Sequence, residues 1–152
     1  MSKTTLNIPH PYEDGLAESW ISTHRDNLNS GKNITYAIVK KDTDELIGSI
    51  SLMLNKTHKK AELGYWIGAP YWSQGYCTEA SQSIIEFGFR ELDLNRIYAL
   101  AMVENAGSWR VMEKVKMKYE GIRRQNVIKD GVSIDLKSYG ILREDFYRQH
   151  NR

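Results

Sequence analysis

The chain has 152 residues, enough for one domain with one hydrophobic core, and its 41% hydrophobic and 26% charged residues argue against a disordered protein. Its 21 basic and 19 acidic side chains leave a net charge of +2, too small a surplus to demand a nucleic-acid or membrane partner. A single cysteine, Cys77, argues against a disulfide framework and a multi-cysteine metal site. No apolar run reaches membrane-spanning length and Met1–Leu6 is polar, so the expected setting is soluble and cytoplasmic.

In chain order, Glu13–Leu28 reads as an amphipathic helix, with Leu16, Trp20, Ile21 and Leu28 near helical spacing. Tyr36–Val39 and Leu46–Leu54 are β-rich runs around the polar turn 41–45, which predicts a hairpin. His58–Ile67 is a third strand, in which Ala61, Leu63 and Tyr65 alternate with Glu62, Gly64 and Trp66, making a meander. After Gly68-Ala69-Pro70 the period changes, and Thr78–Leu92 reads as a helix. Ile97–Val103 is a short apolar run of the kind buried on both faces, and Ser108–Lys116 is a second short helix. Tyr119–Ile128 and Val132–Ile141 flank Asp130-Gly131, a strong hairpin signal, and Arg143–Arg152 reads as a polar tail. The strand–helix–strand step in mid-chain implies a right-handed crossover in an otherwise antiparallel sheet. The expected fold is therefore a mixed α/β (α+β) single domain over 1–152.

Three stretches could carry chemistry. Tyr71-Trp72-Ser73-Gln74-Gly75-Tyr76-Cys77-Thr78-Glu79 is a glycine-bearing loop leading into a helix, where backbone N–H groups and the helix dipole favour phosphate or pyrophosphate. A tight turn with one glycine and a Thr78 cap accounts for the same residues. It is neither GxxxxGK[ST] nor GxGxxG. Asn105 and Ser108 follow the buried strand, either as caps of the next helix or as two polar side chains at the strand end where ligands of α/β folds sit. Glu62 lies between Ala61 and Leu63; a covered face would raise its pKa and suit it to taking a proton from an amine, and an open face leaves a solvated carboxylate. His10, His24, His58 and His150 have no ligand spacing, so no metal is expected. Cys77 at a helix start reads as a small packed residue rather than a nucleophile. Lys56, His58, Lys59, Lys60 and Arg123-Arg124 read as solvated charges, with no nucleic-acid motif beside them.

Together and in this order these features resemble the GNAT (Gcn5-related) N-acetyltransferase superfamily, closest to its ribosomal-protein alanine acetyltransferase branch. The resemblance runs from His10-Pro11-Tyr12 to the Tyr139 strand. Ala61-Glu62-Leu63-Gly64-Tyr65-Trp66-Ile67 is similar to the family's central strand, Tyr71–Ala80 to its pyrophosphate loop, and Asn105–Lys114 to the branch's N-x-x-S…EK segment. Trp72 and Cys77 depart from the superfamily loop pattern [QR]-x-x-G-x-[GA], and Lys116-Met117-Lys118-Tyr119 stands where Gly-Phe is common.

The resemblance implies a mostly antiparallel twisted sheet with one parallel crossover and flanking helices, lacking the usual first strand and helix. It implies acetyl-CoA as co-substrate, with pantetheine along Tyr65, Trp66 and Ile67 and an Ile67 backbone N–H polarising the thioester. Ser73, Gln74, Gly75, Tyr76, Cys77 and Thr78 would hold the pyrophosphate, and Asn105 the cofactor. Glu62 would be the base and Ser108 the acid and a cofactor contact. The expected activity is acetyl transfer to a primary amine by direct attack, on a protein N-terminus or a small amine. The alternatives are a polyamine- or antibiotic-type acetyltransferase and a CoA-binding module without turnover. A homodimer follows if Tyr36–Val39 is left as an open edge.

Overall fold

The computed structural model describes residues 33–41 and 43–150. The Glu13–Leu28 helix, the His10-Pro11-Tyr12 start of the resemblance and the first-strand question lie outside the described residues. Six strands form one sheet in the order β1-β2-β3-β4-β6-β5. They are β1 (Asn33–Val39), β2 (Leu46–Asn55), β3 (Lys60–Ile67), β4 (Arg96–Met102), β5 (Lys118–Lys129) and β6 (Val132–Leu142). Among the described residues three α-helices accompany them, α1 (Tyr76–Arg90), α2 (Ala106–Lys114) and α3 (Arg143–His150), with a short 3-10 turn at Ala69–Tyr71. Every neighbouring pair is antiparallel except β3 and β4, which α1 connects as a crossover.

The alternation of β3 sorts the two faces of the sheet. Ala61 and Leu63 point into a core shared with Leu52 on β2, Ile97 and Ala99 on β4, and Tyr139 and Ile141 on β6. Ile84, Ile85 and Phe89 of α1 and Met112 of α2 cover that face. Gly88 lets α1 sit close, since a Cβ there would stand 2.9 Å from Ile97 Cδ1. The opposite register positions, Glu62 on β3 and Tyr98 on β4, are paired neighbours away from these helices.

Two expectations are corrected. Thr78 does not cap α1: Gly75 is the N-cap, with φ of 85°, and Glu79 N–H donates to its carbonyl at 3.0 Å. Glycine reaches this left-handed conformation without a Cβ clash, so the helix closes earlier and Thr78 falls inside its first turn. The segment expected as a polar tail is helical over Arg143–His150. Its start is held by Asp145, whose carboxylate accepts the Leu142 N–H at 3.2 Å, a reach back over the helix start. Phe146 is 2% exposed, 5.2 Å from Phe89 between ring centres. Full burial of such a ring stabilises by about 2–3 kcal/mol, which a charged tail pattern hides.

Candidate active site

The β3–β4 ladder is short. Its parallel register runs from Lys60↔Arg96 to Leu63↔Ala99 and stops. Beyond it, among the described residues, β3 continues to Ile67 paired only with β2, and β4 continues to Met102 paired only with β6. The two central strands therefore part in mid-sheet. Gly68 N–H donates to Ile47 O at 2.8 Å, and Gly48 is the register partner of Ile67. Because antiparallel pairs alternate, Tyr65 and Ile67 turn their N–H groups away from β2 and into the opening. Their polar backbone is ready to accept an extended ligand as an added strand. Trp72 Nε1–H donates to Ile67 O at 2.6 Å and fixes the end of that strand. Trp66 and Ile67 themselves are buried.

Glu62 stands one residue before the last ladder pair, opposite Tyr98. It is half-buried, and that burial pushes its carboxyl above its ordinary pKa, against the pull of the Tyr98 hydroxyl bond and the Arg123 charge. A carboxylate shifted this way is a stronger proton acceptor near neutral pH. Arg96 also lies against Tyr98, its guanidinium 5.4 Å from the ring centre and paired with both Glu120 oxygens at 2.8 and 2.6 Å. Gly140 makes room for this pair: a Cβ there would lie 2.6 Å from Arg96 Nη1.

Tyr65 is three residues from Glu62 and projects to the other face. Its hydroxyl donates to Ser108 O at 2.8 Å, and its oxygen lies 3.0 Å from Ser108 Oγ. A phenol has one hydrogen, so with that hydrogen on the carbonyl, Ser108 is the donor in the second contact. Burial pushes the Tyr65 phenol well up, so it remains protonated. Ser108 is the third residue of α2, and its N–H donates to Asn105 Oδ1 at 3.2 Å. Asn105 is thus a helix cap, with its amide nitrogen still a donor.

The loop before α1 fits a pyrophosphate. Ser73 and Gly75 both have positive φ, 61° and 85°. Gln74 Nε2 donates to Pro70 O at 2.9 Å, holding the loop. The N–H groups of Tyr76, Cys77 and Thr78 open a 15-residue helix with no acceptor inside it, and the space at Gly75 is clear of other atoms within 4 Å. Cys77 is packed rather than reactive: burial pushes its thiol up to about 12, with Ser81 one turn along opposing the shift. Among the described residues no group of three His, Cys, Asp or Glu could hold a metal, and no helix is long and apolar enough to cross a membrane.

The structure thus gathers Glu62, Tyr65, Trp66 and Ile67 at the opening, joins Ser108 to Tyr65, and sets Ser73–Thr78 at a helix start. Sequence reasoning missed Tyr98 and Arg123, and it missed Tyr65 as the partner of Ser108. The first two depend on strand register and the third on how α2 packs against β3. A parted central sheet beside a glycine-led helix start leaves room for an extended ligand in the opening and for an anionic group at the helix.

The acetyltransferase (GNAT) domain family matches residues 1–118, and the chain belongs to that family. It is 32% identical over 143 residues to an uncharacterised N-acetyltransferase, p20, of Bacillus licheniformis, covering 93% of this chain and 80% of the relative. Over 83 residues, 54% of this chain and 46% of the relative, it is 32% identical to a ribosomal-protein-serine acetyltransferase of Escherichia coli (strain K12). Among solved structures it matches a probable acetyltransferase with TM-score 0.81 and 30% identity, covering 90% of this chain and 77% of that one. It also matches the microcin C7 self-immunity acetyltransferase MccE, in complex with acetyl-CoA and AMP, with TM-score 0.76, 25% identity and coverage of 82% and 68%. The chain is accordingly an acetyl-CoA-dependent N-acetyltransferase, and the expected fold class stands.

Proposed function

We propose that this enzyme transfers acetyl to the primary amine of a protein N-terminus or a small molecule, with Glu62 as base and Ser108 as acid. The observation that carries the reading is the parting of β3 and β4 after Leu63↔Ala99, with Glu62 at its root on one face and Tyr65–Ser108 on the other. The ribosomal-protein-serine acetyltransferase relative supports a protein as acceptor.

Acetyl-CoA supplies the activated thioester, and the chain supplies position and proton transfer. The Ser73–Thr78 backbone holds the pyrophosphate, and the Tyr65 and Ile67 N–H groups align the pantetheine and the carbonyl. A neutral amine nitrogen forms the new C–N bond as the C–S bond breaks. The nitrogen's proton goes to Glu62, which faces Tyr98 across the β3–β4 ladder. The departing sulfur takes a proton from Ser108 Oγ, which swings from Tyr65 to give it, and Ser108 recovers a proton from solvent as Glu62 releases the one it took. No covalent enzyme intermediate is required.

A screen of peptides and amines for CoA release tests this. Acetyl-CoA bound in calorimetry without release of CoA to any amine would overturn it. The same reading includes a homodimer, supported by β1, which among the described residues pairs only with β2 and exposes Tyr36 and Val39. Light scattering giving a monomer at high concentration contradicts that part.

A further inference from the structure

Arg123 lies on β5 opposite Leu136, on the face of the sheet that carries Glu62 and Tyr98. Its guanidinium is 5.8 Å from the Tyr98 ring centre, Tyr98 is the register partner of Glu62, and the Arg123 charge acts on the Glu62 carboxyl. One tyrosine therefore separates the base from this cation. The neighbouring cations are not equivalent. Arg96 is neutralised by its two-point bond to Glu120. Arg123 forms no ion pair among the described residues and is exposed, and Lys60, 5.9 Å from the same ring, forms none either. A planar, permanently charged fork beside the base is suited to a carboxylate or phosphate.

We infer that Arg123 is an acceptor-side anion anchor: the acceptor is a primary amine that carries a carboxylate or phosphate a few bonds from its nitrogen. This rests on the reading of Glu62 as the base that faces the acceptor. It makes polyamines poor acceptors, since each adds an ammonium beside Arg123 and Lys60. The anion can come from an acidic side chain near a protein N-terminus or from a small amine's own acid group. Both present the same chemistry to the guanidinium.

The test compares the parent enzyme with Arg123→Lys, Arg123→Ala and Arg123→Glu. The acceptors are a peptide with Asp at its second and third positions, the same peptide with Asn there, phosphoethanolamine and spermidine. The parent is expected to favour the Asp peptide or phosphoethanolamine over the Asn peptide and spermidine by about tenfold or more in kcat/KM. Which of the two anionic acceptors leads identifies the source. Arg123→Glu should invert the order, Arg123→Ala erase it and Arg123→Lys keep part of it, with acetyl-CoA affinity by calorimetry unchanged throughout. Equal use of charged and neutral acceptors by the parent overturns the inference alone, as does an order that Arg123→Glu leaves intact. Loss of acetyl-CoA affinity in Arg123→Glu also overturns it, by placing Arg123 on the cofactor. A parent that acetylates none of the four, or any wider set of amines, overturns both this inference and the function it rests on.

Discussion

Glu62 is half-buried beside Tyr98, and its carboxyl holds its proton more tightly folded than unfolded. Its contribution to stability is thus present below the unfolded carboxyl pKa and is lost as pH rises through the folded value. Glu62→Gln should therefore melt no lower than the parent at pH 8, while kcat/KM falls by about 10²-fold at pH 6–7 and partly recovers towards pH 9 as free amine accumulates. Steady-state rates and melting curves across that range check both halves. A parent-like rate throughout would return Glu62 to a plain strand carboxylate. Ser108→Ala removes the proton donor to sulfur and should cost about 10²-fold in kcat with a flatter pH trend. Tyr65→Phe instead frees the Ser108 carbonyl and hydroxyl, so about 1 kcal/mol of stability is lost and the kcat loss is smaller than in Ser108→Ala. A Tyr65→Phe loss in kcat larger than that of Ser108→Ala would make the phenol the acid.

At the scale of elements, β3 is shaped by what its neighbour lacks. A Cβ on Gly48 would lie 2.3 Å from Trp66 O and 2.9 Å from Ile67 Cδ1. A backbone carbonyl cannot turn aside as a side chain does, so Gly48→Ala must displace the strand that faces the opening. The expected cost is about 1–3 kcal/mol, read from denaturant midpoints, together with a lower kcat/KM for the best acceptor. The start of α1 offers a cleaner comparison. Gly75 has φ of 85° with open space around it, and Asp and Asn both tolerate that conformation and match in size. Gly75→Asp differs from Gly75→Asn by one negative charge at the proposed pyrophosphate site. Calorimetry should show acetyl-CoA bound about tenfold or more weaker by Asp than by Asn. Equal affinities would remove the phosphate assignment from this loop.

Across the whole molecule, α3 ties the last strand back to the crossover helix. Phe146 packs on Phe89, and Arg90 lies 5.4 Å over its ring. Lys118 on β5 reaches Asp145 at 3.5 Å, and the exposed Asp93 takes both Arg143 and Lys59, which hold its carboxyl below its ordinary value. The two Asp93 pairs are largely solvated and add little, while the Asp145 pair has a buried carboxylate and an exposed Lys118, so the buried ring is the main apolar anchor of the helix. Phe146→Ala should destabilise by about 3–5 kcal/mol, measured by denaturant unfolding, with acetyl-CoA affinity retained in the protein that remains folded. A loss under 1 kcal/mol would mean that α3 is only loosely docked.

Short-range signals carried much of this. The β-rich runs around the 41–45 turn, the alternation of β3, the Asp130-Gly131 turn and the apolar Ile97–Val103 run placed the strands, because alternation and turn chemistry act within a few residues. The Gly75 loop and the Asn105 cap were legible for the same reason, and the family resemblance rested on these segments in order. Arg143–His150 was not legible, since a single buried ring among charged neighbours leaves no periodic trace. Nor was the site's polar side. That Glu62 meets Tyr98, that Arg96 and Arg123 both come near the Tyr98 ring, and that Ser108 answers to Tyr65 all depend on strands and helices distant in sequence. The parting of β3 from β4 is likewise absent from either strand read alone. Local composition determined which residues become strand, turn and helix start; only the tertiary register decided which of them face one another, because pairing across a sheet is a non-local choice.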